Sequence, residues 1–171
     1  MIQYKKLLIY SFIVILIFVL DRLSKLYILN LAETKSSVDI YINSFLNLYL
    51  IWNKGIAFGI LSFEENFIYN LITILIVIIN LIIIVMIIRS EDYKAYFWIS
   101  ILGGSFGNLF DRLYYSAVPD FIDFHINNFH WFVFNVADIF ITTGVICLIF
   151  VEMFYKNKLS SKLTKFINQL F

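Results

Sequence analysis

The sequence predicts a mainly α-helical membrane protein with four transmembrane helices, and three observations carry that prediction. The chain has 171 residues, of which 61% are hydrophobic and 15% charged, with a mean hydropathy of +0.87; a soluble domain of this length is far more polar. Four segments are long and apolar enough to cross a bilayer, which takes about 20 residues each. The basic residues segregate to one side of those segments. A net charge of +1 gives no reason to expect a nucleic-acid partner. The single cysteine, Cys147, rules out an intrachain disulfide and is read as a buried, inert thiol. One proline and six glycines argue against a linker, so residues 1–171 are read as one integral membrane domain.

The first span covers about residues 7–29, although Asp21, Arg22 and Lys25 interrupt its second half. Lys5 and Lys6 before an apolar run also fit the start of a cleaved signal peptide, but no small-residue cleavage site follows, and the run continues as an amphipathic helix. The outer loop, about 30–65, contains VDIYINSFLNLYLIWN, where alternating Leu46, Leu48 and Leu50 among aromatic and β-branched residues favour short strands. The glycines of the following NKGIAFGIL suit a tight turn. Residues 67–88 form an uncharged second span, and 95–113 a third. A second outer loop, about 114–133, carries Asp120, Asp123, His125 and His130. The fourth span covers 134–155, and the tail KNKLSSKLTKFINQLF mixes lysines with apolar residues as a short helix on anionic lipid does. Trp52, Trp98 and Trp131 are read as interfacial belt residues.

Lys5, Lys6, Arg89, Lys94, Lys156, Lys158, Lys162 and Lys165 all fall on the side of the termini and the short middle loop. By the positive-inside rule that side is cytoplasmic, and an even number of spans puts both termini there. Most acidic residues fall on the other side, among them Asp21, Asp111, Asp120, Asp123 and Asp138.

Charges near hydrocarbon cost at least a few kcal/mol, so each of these acids needs a reason. Asp21 and Lys25 stand four apart in the acid-first order that favours an ion pair, which suits a scaffold role. Gly103 and Gly107 have the small-xxx-small spacing of close helix packing. Asp111 and Arg112 are read as structural partners that keep each other charged. Asn135 and Asp138 share a helix face, but Asp138 has no basic residue within a turn, so its ionised form is disfavoured. A second acid sharing its proton makes a pair able to hydrolyse an amide: one takes a proton from water while the other protonates the carbonyl oxygen. Asp120 and Asp123 are both near enough in sequence to be that acid, and spacing alone does not exclude Asp111.

Other chemistries fit less well. No serine lies in a G-x-S-x-G elbow, and no histidine adjoins a serine or cysteine. His125 and His130 with Asp120 and Asp123 match no HExxH-type motif, so packing is the stronger reading and neither metal nor cofactor is expected. An ion carrier using Asp111, Arg112 and Asp138 suffers because residues 67–88 offer only Thr73 and Asn80 as polar groups below the cluster. A purely structural partner leaves Asp138 unexplained.

Five blocks in order resemble the lipoprotein signal peptidases, the signal peptidase II family of bacterial membrane aspartic proteases. They are Asp21 with Lys25; Asn53, Gly55, Ala57 and Phe58; Gly107, Asn108, Asp111 and Arg112 as GNxxDR; Val118, Asp120 and Phe121; and Phe134, Asn135, Ala137 and Asp138 as FNxAD. The resemblance implies a four-helix membrane bundle with a small extracytoplasmic β-sheet and a short surface helix. It implies that Asp120 and Asp138 are the catalytic pair, with Asp123 a neighbour. Asn53, Gly55, Asn108, Arg112, Asn135 and Ala137 then position substrate or the pair, and Asp21, Lys25, Gly107 and Asp111 support them. The implied substrate is a diacylglyceryl-modified prolipoprotein, cut on the N-terminal side of the lipidated cysteine. The implied location is the bacterial cytoplasmic (inner) membrane, in contact with lipid, as a monomer with the active site near the extracytoplasmic face. Lys54, Ile56 and Pro119 vary the blocks; Pro119 biases Ala117 and Val118 toward extended backbone.

Overall fold

The first apolar segment forms one helix, α1 (Ile2–Lys35), in a computed structural model that describes residues 2–35, 37–55, 66–90, 92–126 and 129–170. Strands β1 (Asp39–Asn43) and β2 (Leu46–Asn53) follow, then helices α2 (Asn66–Arg89) and α3 (Lys94–Tyr115), strands β3 (Val118–Ile126) and β4 (Phe129–Phe134), and helix α4 (Val136–Leu170). Ile56, Ala57 and Phe58 of the outer-loop block lie outside the described residues, as do the side chains of Trp131 and of the lysines beyond residue 154.

Among the described residues, three helical stretches, Tyr4–Lys35, Phe67–Arg89 and Val136–Phe154, have the length and hydropathy to cross a membrane. Their outward residues, such as Phe12, Leu71, Ile82 and Phe150, are exposed and apolar, a surface suited to lipid rather than water. Helix α3, expected as the third of four spans, is too polar to qualify with them. The physical reason is its position. It packs against α1, α2 and α4 and buries Ile99, Ile101, Leu102, Gly103, Gly104 and Gly107, so its neighbours screen its polar groups.

Glycines let those neighbours close in. A Cβ placed on Gly103 lies 2.8 Å from Ile17 Cβ of α1, and one on Gly107 lies 2.9 Å from Asp21 Cγ, one turn further along the same helix. On the opposite side, a Cβ on Gly104 meets the Ala137 carbonyl and lies 2.9 Å from Ile141 Cγ1 of α4. The Gly103/Gly107 spacing thus packs α3 on α1, and Gly104 packs it on α4.

The four strands form one antiparallel sheet in the order β1-β2-β3-β4. The alternation in the first outer loop foretold β1 and β2. The second loop, read without strands, folds as the β3–β4 hairpin. Helix α1 runs past its expected end because Ile28, Leu31 and Ala32 pack with Val38, Leu48 and Phe121 as the sheet's own core. At the far end, Lys6 Nζ donates to the Ser90 carbonyl at 3.1 Å and Lys94 pairs with Glu152 at 2.8 Å. Ser116, with φ 56°, ends α3 in the left-handed conformation and turns the chain into β3.

Candidate active site

Asp120 and Asp138 reach one site by two routes. Asp120 lies on β3, where the register sets it opposite Ile51 and sets Val118 opposite Asn53. Asn53 is therefore its diagonal neighbour on the same face, and Asn53 Nδ2 donates to Asp120 Oδ2 at 2.9 Å. Asp138 lies in the first turn of α4, just after Asn135. The Asn135 backbone N–H donates to Asp138 Oδ2 at 3.0 Å, while Asn135 Oδ1 accepts from the Asp138 N–H at 3.2 Å. This is a reciprocal helix cap with an aspartate in the third helical position. The remaining Asn135 group, Nδ2, donates to Asp120 Oδ1 at 2.6 Å. One residue thus binds both acids.

Three asparagines surround the pair, and each is oriented by a donor on its oxygen. Gly55 N–H donates to Asn53 Oδ1 at 2.9 Å, the Asp138 N–H to Asn135 Oδ1, and Lys25 Nζ to Asn108 Oδ1 at 2.9 Å. With the oxygens occupied, the NH₂ groups face the carboxylates, and Asn108 Nδ2 donates to Asp138 Oδ1 at 2.8 Å.

Lys25 is fully buried. Besides Asn108, it binds Asp21 Oδ2 at 2.9 Å and Asp111 Oδ2 at 2.7 Å, so all three ammonium protons are used. Asp21 Oδ1 also accepts from the Ala137 N–H at 3.0 Å, an acid at the positive end of α4. The expected Asp21–Lys25 pair is therefore present. The expected Asp111–Arg112 pair is not. Adjacent helical residues point about 100° apart, and Asp111 turns instead to Lys25 and to Arg22, at 2.6 Å. Arg112 donates to the Gly55 carbonyl and lies 5.6 Å from the Tyr69 ring, whose hydroxyl donates to the Arg112 carbonyl at 2.9 Å. Arg22 and Tyr69 were missed as site residues. Arg22 showed only as an interruption of the first span, and nothing in the sequence marks Tyr69 as a neighbour of residue 112.

Burial raises the Asp120 carboxyl from its ordinary 3.8 to about 6; the nearby Asp138 carboxylate adds to the shift, and the Asn53 and Asn135 amides oppose it. Asp123 joins neither acid. It lies with His125 and His130, their ligand atoms within 4.8 Å of one another, and Asp120 is not in that group.

A family model described as signal peptidase (SPase) II matches residues 13–154, which enclose every candidate residue from Asp21 to Asp138. The chain belongs to the signal peptidase II family. It is accordingly an endopeptidase of the membrane aspartic type. A lipoprotein signal peptidase of Pelagibacter ubique (strain HTCC1062) is 60% identical over 146 residues, covering 85% of this chain and 88% of that one. A lipoprotein signal peptidase of Francisella tularensis subsp. novicida (strain U112) is 37% identical over 153 residues, covering 87% and 94%. A bacterial membrane enzyme structure obtained by the in meso method at 2.3 Å resolution superposes with a TM-score of 0.70 at 26% identity, covering 84% of this chain and 87% of that one.

Proposed function

We propose that Asp120 and Asp138 are the catalytic pair of this signal peptidase II, acting on diacylglyceryl-modified prolipoproteins on the N-terminal side of the lipidated cysteine. The observation that carries this reading is Asn135, which donates to Asp120 through Nδ2 and to Asp138 through its backbone N–H. A buried carboxylate and a half-buried one held this way favour a shared proton. In this reading Asp120, whose carboxyl is raised by burial and by the charge of Asp138, is the acid that enters the reaction protonated.

Asp138 then takes a proton from water as the water oxygen attacks the scissile carbonyl carbon, and Asp120 gives its proton to the carbonyl oxygen. In the second step Asp138 returns its proton to the leaving amine nitrogen. Asp120 recovers one from the hydroxyl as the carbonyl re-forms, and the pair is regenerated. Asn53, Asn108 and Asn135 hold the acids through this exchange. Arg112 holds the Gly55 carbonyl, Gly55 orients Asn53, and Ala137 supplies a backbone donor to Asp21. Asp21, Lys25, Gly107 and Asp111 form the support beneath.

Four spans place both termini in the cytoplasm, with α3 the central and most screened helix. The end that holds the Lys6–Ser90 and Lys94–Glu152 contacts is the cytoplasmic one in this reading, supported by the basic residues gathered there. The sheet and the acids stand at the extracytoplasmic lipid boundary, where a diacylglyceryl anchor holds the scissile bond in place. Such positioning supplies much of the rate. Residues 1–171 act as a single domain and a monomer, with lipid as the surrounding partner.

The test is incubation of the detergent-solubilised protein with lipidated and unlipidated precursor. Cleavage of the lipidated form alone supports the substrate assignment. Asp120→Asn and Asp138→Asn each lower turnover by about 10²–10⁴-fold in a folded protein. Normal processing by either variant rejects the pair.

A further inference from the structure

Away from the two acids, the outer sheet gathers a second set of polar groups on one face. Asp123 and His125 are two apart on β3 and so share that face. The β3–β4 register shifts between Phe124 and His125, from Phe124↔Phe132 to His125↔His130. One extra residue on β4 therefore re-aims His130 directly across from His125, a usual effect of a bulge. The rings stack at 5.2 Å. On the other side, the β2–β3 register sets Asn47 opposite Asp123, and both line one cavity with His130.

Three atoms of this set are buried and have no hydrogen-bond partner among the described residues: Asp123 Oδ1, His125 Nδ1 and Asn47 Oδ1. The two oxygens can only accept, and the imidazole nitrogen accepts in one neutral tautomer. In that tautomer all three are acceptors turned toward one place, and a cation satisfies them together.

The distances suit a small cation. Asp123 Oδ2 lies 2.8 Å from His130 Nδ1 and 3.8 Å from His125 Nδ1. Ligands about 2.0–2.1 Å from a tetrahedral zinc stand about 3.3 Å apart, so the two Asp123 contacts need adjustments of about half an ångström, and the set as a whole, its ligand atoms within 4.8 Å of one another, draws together on binding. Two imidazoles and a carboxylate favour a first-row divalent ion over calcium or magnesium.

We propose that Asp123, His125 and His130 bind a divalent first-row cation of the zinc type, with Asn47 Oδ1 completing the shell directly or through a metal-bound water. The ion ties β3 to β4 on a face separate from the two acids. The His130 side chain is 57% exposed, so metal reaches the site from solvent and the position tolerates substitution.

The full-length, detergent-solubilised protein without a polyhistidine tag is loaded with Zn²⁺, desalted and assayed for metal. The expected result is equimolar zinc and a thermal midpoint raised by the metal. His130→Ala and Asp123→Asn each weaken zinc binding by at least about tenfold and abolish the metal-dependent thermal shift. Sub-stoichiometric zinc in the wild type overturns the proposal. So does unchanged zinc retention in His130→Ala, whose folding is checked by its metal-free thermal midpoint.

Discussion

Lys25 Nζ bonds Asn108 Oδ1 at 2.9 Å, and that contact decides which end of the Asn108 amide faces Asp138. A buried ammonium on a different helix thereby sets a hydrogen bond to a catalytic candidate without touching it. Replacing Lys25 with methionine leaves Asp21 and Asp111 buried without their ammonium partner. The expected cost is about 3–5 kcal/mol of stability, read from denaturant titration in detergent. Asn108→Leu keeps the volume and removes the donor to Asp138. Its kcat/KM for a lipidated precursor should fall by about 10–100-fold, the value of a hydrogen bond to a charged group.

The glycines of α3 separate packing from site support. Gly103→Ala presses a methyl onto Ile17, a side chain that can be shortened. It should destabilise by about 1–3 kcal/mol and be relieved in part by Ile17→Ala, which removes Cγ2 and Cδ1 but keeps Cβ, and not by Ile17→Val, which keeps Cγ2 as well. Gly107→Ala presses on the Asp21 carboxylate and disturbs the acid that holds Lys25 and the Ala137 N–H. No substitution at Ile17 should restore its activity. Rescue of both variants by the same change at Ile17 defeats the distinction.

The Asp120 carboxyl is raised from 3.8 to about 6 in the folded protein. Between those values the folded state holds a proton that the unfolded chain has lost, so this group's contribution to stability falls as pH rises from about 4 to 6, then levels off. The alkaline limb of kcat/KM should begin near pH 6 in the free enzyme, as the pair loses its shared proton. Infrared titration of the protonated carboxyl band provides a direct check. In Asp138→Asn the Asp120 midpoint should move down, because a neighbouring negative charge is gone. An unmoved midpoint means the two acids do not interact.

Ser116 carries a positive φ of 56° without being glycine. Ser116→Gly relieves that conformation and should stabilise the protein by up to about 1 kcal/mol, seen as a higher thermal midpoint with unchanged cleavage.

The sequence disclosed the features that depend on local spacing. The i,i+4 distance of Asp21 and Lys25, the i,i+3 distance of Asn135 and Asp138, and the Gly103/Gly107 interval all became contacts. Features made by tertiary approach were illegible. Asp111 chose Arg22 and Lys25 over its neighbour Arg112 because helix geometry points adjacent side chains apart. The β3–β4 hairpin escaped notice because Pro119 and closely spaced charges hide its alternation, and its strand state is secured by pairing with β2. Spacing left Asp120 and Asp123 equivalent; the register separates them, one beside Asn53 and the other beside His130.

Helix α1 joins the Ser90 end of the bundle, at Lys6, to the polar cluster beneath the two acids, at Lys25. Nineteen residues of α-helix span about 28 Å, close to the roughly 30 Å of a bilayer's oily interior. In the proposed orientation the same rod works as a depth gauge, fixing how far the proposed cutting point stands from the Lys6 end. Processing should then respond to acyl-chain length, peaking where lipid thickness matches that rod and declining in bilayers too thin or too thick to present the bond at that height.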